Sequence, residues 1–257
     1  MTHQNDRLHP AALMYAAEEQ AGKMSRREFL TRSTALGLTA TAAYGLLGLN
    51  APVEAAAHAQ MGGTLRIQQE VRPLRDPRTY DWTQISNFSR GWLEYLVEYQ
   101  RDGSFRPMLL SGWSVNDNAT EYTLNVRPGV TWNNGEAFTA ENVAWLISYW
   151  CEKSVEGNSM AGRMASLIDE ATGMAREGAI TIVDDMTVKL TLLSPDITII
   201  PGMADYPAAV IHPSTNLADI MSTPIGTGAY LPESLEVGVK SVLVKNADHD
   251  YWGNSTE

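Results

Sequence analysis

The chain has one cysteine, Cys151, in 257 residues, so no disulfide can form within it and its stability must come from an ordinary core. Cys151 lies among apolar neighbours in LISYWCE, which marks a small buried hydrophobe; a reactive thiol needs a basic neighbourhood that this stretch does not supply. Basic residues are scarce: 19 Lys and Arg stand against 30 Asp and Glu, a formal charge of −11. A surface that acidic repels nucleic-acid phosphates and anionic lipid, so no nucleic acid is expected as a partner. The five histidines are scattered at His3, His9, His58, His212 and His249. No H-E-x-x-H, C-x-x-C or G-x-S-x-G string occurs, and GNSMAG has the wrong spacing for a nucleophile elbow. The GTGAYL string lacks the third glycine of a dinucleotide fingerprint. Neither a catalytic set nor a metal or cofactor site is therefore expected. Internal repeats and low-complexity tracts are absent too.

Charge is also missing from one long stretch. Between Ser33 and Val53 there is no charged side chain. A membrane-spanning helix wants about 20 predominantly apolar residues. This run has the length but is diluted by Thr34, Gly37, Thr39, Thr41, Gly45 and Gly48. Before it stand Arg26 and Arg27, followed by Glu28, Phe29 and Leu30; after it comes the small-x-small pattern Ala57-His58-Ala59. A basic start, a mild apolar run and a small-residue cleavage site make a secretory leader. The arginine pair gives it the twin-arginine type. An uncleaved anchor is the alternative. Residues 1–59 are thus expected to be a leader cleaved near Ala59, leaving 60–257 as the exported part. The leader's five acidic and five basic residues cancel, so that part keeps the whole negative charge.

Along 60–257, Thr64 to Gln69 alternates and reads as a strand, and VRPLRDPRTYDW reads as a loop. Phe88, Trp92, Leu93, Leu96, Val97 and Tyr99 have helical spacing, with Ser86 or Asn87 as cap and Asp102-Gly103 as stop. Tyr122, Leu124 and Val126 alternate as a half-buried strand, paired through NDNAT with Trp113 to Val115. RPG and NNG are turns, and Trp132 between them is a core residue. Thr139 caps a helix whose apolar face is Val143, Leu146, Ile147 and Trp150. AITIVDD and TVKLTLL form a hairpin at Asp184-Asp185; SPDITIIPGMADYPAAVIHPST mixes a short helix with loops; two further strands follow a Gly-rich turn. Irregular alternation of strands and helices predicts a mixed α/β (α+β) fold.

Taken in order, these pieces resemble the extracellular solute-binding proteins of ABC transporters, in the peptide- and nickel-binding family 5. The stretch LEYLVEYQRDGSFRPMLLSGWSVNDNATEYTLNVRPGVTWNNGEAFTAENVAW is similar to the family's most recognisable segment. VDDMTVKLTLLSPD is similar to its next hairpin, IGTGAY to its GTGPY turn with Ala229 for proline, and NADHDYWG to its N.DYWG with His249 added. Ser111-Gly112 and Asn142 depart from its Glu-Ser pair and Asp, as surface or capping changes. The resemblance implies a periplasmic-binding-protein-like lobe, the first of a two-lobed hinge protein, with the second lobe absent from this sequence. It implies a monomer in the periplasm that captures peptide-like solutes by closing its lobes. The solute is then handed to membrane permease subunits without chemistry, and export runs through the twin-arginine machinery. In peptide-binding relatives the loop after the first strand lines the cleft. Here that loop is YDWTQISN, which makes Asp81 a partner for a cationic group, Trp82 a stacking surface, and Thr83 and Gln84 hydrogen-bonding groups. The turn Gly226-Thr227-Gly228 reads as chain geometry near the hinge rather than ligand contact. Two other readings stand beside this one: a single-lobe interaction or chaperone-like module, and an exported enzyme.

Overall fold

The computed structural model describes residues 8–52 and 62–255. The small-x-small motif at residues 57–59 and Gln60 lie outside the described residues. Among the described residues eight strands form three antiparallel sheets. Strands β1 (Val97–Tyr99) and β2 (Phe105–Pro107) make one hairpin, and β7 (Tyr230–Glu236) and β8 (Lys240–Lys245) make another. Between them in sequence lie β3 (Leu110–Val115), β4 (Glu121–Val126), β5 (Ile180–Asp184) and β6 (Thr187–Thr191), ordered β3-β4-β6-β5.

This four-stranded sheet follows from its side chains. Tyr122, Leu124 and Val126 on β4 and Val188 and Leu190 on β6 point to one buried face, while Thr123, Asn125 and Lys189 point away. Onto the apolar face packs the helix Ala140–Trp150, whose Val143, Leu146, Ile147 and Trp150 are fully buried. Its start is a capping box: the Thr139 amide donates to Asn142 Oδ1 at 2.9 Å. Asn142 therefore keeps the acceptor that an aspartate would offer. Ser111-Gly112 sits at a register shift in β3, where a small residue suits the bulge. Trp132 and Cys151 are buried as expected, and desolvation pushes the Cys151 thiol up to about 12.

Two segments differ from the sequence expectation. The run from Phe88 to Tyr99 is no helix: a short helix, Thr83–Ser89, ends there, and residues 91–96 are irregular before β1. Trp92, Leu93, Leu96 and Val97 are all fully buried, so the run is apolar on every side and its spacing carries no helical information. Gly91 also lets Leu243 approach; a Cβ there would lie 2.4 Å from Leu243 Cδ1. Residues 64–69 form no strand, because no partner strand lies beside them among the described residues. Leu65 and Ile67 are 84% and 72% exposed.

Ahead of the lobe lie three helices, α1 (Pro10–Gln20), α2 (Arg26–Ala35) and α3 (Ala40–Leu46). The uncharged stretch is thus broken at Gly37, and no helix among the described residues is long and apolar enough to cross a membrane. These helices share a small core of Tyr15, Phe29, Leu30, Leu36 and Tyr44, which also touches Val115 of the lobe. Thr34 Oγ1 accepts from the Phe105 amide at 2.9 Å, and Trp113 Nε1 donates to the Ala35 carbonyl at 3.3 Å. In chain order the later helices are α4 (Thr83–Ser89), α5 (Ala140–Trp150), α6 (Ser159–Arg163) and α7 (Ile199–Met203).

Trp150→Ala removes the largest side chain between α5 and the sheet. It is expected to destabilise the chain by about 3–5 kcal/mol, read as a lower urea midpoint with an unchanged denaturant slope.

Candidate functional site

The sequence places four candidate ligand residues at Asp81 to Gln84. The structure sets them at one edge of the lobe, where the loop after residue 71 turns into α4. Asp81 is exposed and pairs with Arg75 at 2.5 Å; the hydrogen bond from Arg75 holds its carboxyl below the usual carboxylate range. Trp82 is 42% exposed, with the Arg72 guanidinium 4.4 Å from its ring centre. Thr83 and Gln84 belong to the first turn of α4 rather than to the loop, and Thr83 Oγ1 donates to Gln84 Oε1 at 3.1 Å. Gln84 also faces a shallow cleft against Arg72, Phe88 and Leu235 of β7. Asp81, Trp82 and Thr83 are thus exposed, and Gln84 is half-buried.

Further along the chain lies a cluster that sequence reasoning missed. Glu94 is 2% exposed, the lone acid in the apolar run GWLEYLV. Its Oε1 accepts from Tyr251 Oη at 3.0 Å and its Oε2 from Trp252 Nε1 at 2.8 Å. The Arg127 guanidinium covers the Trp252 ring at 4.5 Å. His249 Nε2 donates to the Thr227 carbonyl at 3.1 Å, so the added histidine ties this segment to the Gly-rich turn. The turn itself is packed backbone to backbone: a Cβ on Gly226 would lie 2.0 Å from the Trp92 carbonyl oxygen, and one on Gly228 2.6 Å from that of Gly91. Close backbone approach is what those two glycines permit. The signal that could have exposed Glu94 was its isolation among apolar residues, since a buried acid needs donors and Tyr251 and Trp252 supply them.

A serine and a histidine do meet elsewhere. His212 Nδ1 accepts from Ser214 Oγ at 2.7 Å and from the Ser214 amide at 3.2 Å, while Nε2 donates to Glu136 at 2.8 Å. Serine and histidine are two residues apart in one turn, the bonds close that turn, and the ring packs edge-on against Trp132. A second groove, of about 390 Å³, runs between the β1–β2 hairpin and the α6–α7 region, with the Arg163–Asp205 ion pair in its wall. Asp205 is thereby occupied. Among the described residues no three His, Cys, Asp or Glu side chains gather as a metal site.

The family described as bacterial extracellular solute-binding proteins, family 5 Middle, matches residues 104–257. The chain belongs to this family. It is 27% identical over 188 residues to the nickel-binding periplasmic protein of Escherichia coli (strain K12), covering 71% of this chain and 33% of that protein. It is 23% identical over 158 residues to a glutathione-binding protein of Pectobacterium atrosepticum, covering 60% and 29%. The chain thus spans about a third of the length of the curated relatives it matches. In fold it is similar to the murein tripeptide binding protein of Escherichia coli, with a TM-score of 0.61, 20% identity, and coverage of 73% of this chain and 38% of that one. The mixed α/β lobe is therefore a periplasmic-binding-protein fold.

Burial raises the Glu94 carboxyl above its ordinary value, and the bonds from Trp252 and Tyr251 offset only part of that. A carboxyl raised on folding contributes most stability at low pH and loses that contribution as pH climbs through its folded value. Glu94→Gln keeps an acceptor for Trp252 and does not titrate. As pH rises above about 4.5, its urea midpoint should fall less steeply than that of the parent. Parallel pH profiles would contradict the assignment.

Proposed function

We propose that this chain supplies the first lobe of a periplasmic solute-binding component of an ABC importer, carried across the membrane by a cleaved twin-arginine leader. The family match over residues 104–257 is the observation that carries the reading. The remainder of the longer protein supplies the second lobe, and solute is held between the two by hinge closure. The exposed, alternating Leu65 and Ile67 fit this: they have the pattern of a strand whose partner belongs to that remainder. The protein acts as a monomer, hands its solute to permease subunits, and does no chemistry on it.

The solute is peptide-like in this reading. Relatives are named for nickel and glutathione, and a probable D,D-dipeptide-binding protein of Escherichia coli is 25% identical over 228 residues. The edge at Asp81 to Gln84 suits an amino-terminal ligand group. The Arg75–Asp81 pair is exposed to solvent, which screens it, so an incoming ammonium can replace Arg75 at small cost. Trp82 then offers its ring, and Gln84 both a donor and an acceptor.

Calorimetric titration of the protein isolated from its host, against tripeptides, glutathione and a nickel–histidine complex, tests this. One class should bind saturably, and Trp82→Ala should weaken it by about 10- to 100-fold. An unchanged affinity would move the site away from this edge, and silence toward every solute would overturn the reading. The same preparation should begin near Gln60 by intact mass.

A further inference from the structure

The contacts between the leader helices and the lobe concern what happens before export. We propose that the leader docks in cis on the folded lobe, at the β1–β2 hairpin and the outer edge of β3, and that this docking gates recognition of its twin-arginine segment. The docking rests on the structure alone; the gating also rests on the leader reading above.

Docking is specific rather than a loose apolar contact. Thr34 bridges the two bodies, donating to the Leu30 carbonyl at 2.7 Å while accepting from the Phe105 amide, so a lobe amide is capped by a leader side chain. Ala35 belongs to the main core of the lobe, not to the small core of the leader. Gly37, at φ +92°, brings the chain so close to β3 that a Cβ would lie 2.9 Å from the Trp113 carbonyl oxygen.

The recognition segment is caught in this arrangement. Arg26 and Arg27 open α2 behind the Ser25 cap, and Arg27 Nη2 donates to Tyr99 Oη on β1 at 2.8 Å. Both arginines are exposed, but Phe29 and Leu30, which complete the motif, are 0% and 1% exposed. A receptor that reads the arginines together with the two apolar residues must first peel α2 from its own core and from the lobe. Docking of this kind requires a folded β1–β2 hairpin and β3 edge, so the state of the lobe and the accessibility of the signal are linked.

Hydrogen exchange on the full precursor reads the docking directly. Residues 26–36 and 103–107 should exchange slowly, and Gly37→Val should speed both by about tenfold or more while α5 stays protected. If α5 also loses protection, Thr34→Val, which removes the hydroxyl that accepts from the Phe105 amide and donates to the Leu30 carbonyl, replaces it. Equal exchange in parent and variant would overturn the docking. Pulse-labelling in the host reads the gating: the variant precursor should be converted to mature protein about two- to fivefold sooner. Loss of protection without faster conversion would overturn the gating and leave the docking standing. If neither precursor is converted, the leader reading itself fails and the gating falls with it.

Discussion

Gly226 and Gly228 lie against the backbone of Gly91 and Trp92, closer than any side chain would allow. The Gly228 and Tyr230 amides donate to the Trp92 and Gly91 carbonyls at 3.0 Å each, and the Asn133 amide donates to the Gly226 carbonyl at 2.9 Å. Three parts of the chain far apart in sequence are thereby fixed to one another: the stretch after α4, the NNG turn and the entry to β7. The candidate ligand edge at Asp81 to Gln84 hangs from the first of these, and the segment leading to Tyr251 and Trp252 from the last. Glu94 completes the joint from the interior, because a carboxyl with two side-chain donors in an apolar setting holds them in fixed places. The rigid edge and the end of the lobe are therefore parts of one assembly.

Beside that assembly Asp81 and Trp82 stay exposed, paired with Arg75 and Arg72. Helices α1 to α3 pack on a different surface, the β1–β2 hairpin and the edge strand β3, where Thr34 accepts from the Phe105 amide. Covering an open sheet edge is a common need of β structure.

Much of this lobe was legible in the sequence because its elements carry local signals. The hairpins at NDNAT and Asp184-Asp185, the capped α5 and its face from Val143 to Trp150, and the buried Cys151 all follow from period, cap and turn chemistry. The stretch from Phe88 to Tyr99 was not legible, since a run buried on all sides has no period to read. Residues 64–69 alternate as a strand does, but a strand exists only with a partner, and alternation cannot supply one. Of the candidate site, the candidacy of Asp81, Trp82, Thr83 and Gln84 could be read from the sequence, by resemblance alone. The buried Glu94 could not, because Tyr251 and Trp252 come from more than 150 residues further on. The packing of Thr34 and Gly37 against the lobe was hidden for the same reason: composition marked that stretch as a leader and said nothing of where it would lie.

Small-angle scattering of the protein isolated from its host, with and without the solute it binds, tests the central claim most directly. Capture between two lobes predicts a smaller radius of gyration in the bound state, saturating with the binding curve. A saturable binding event that leaves the radius unchanged would contradict it and place the solute on the surface of one lobe.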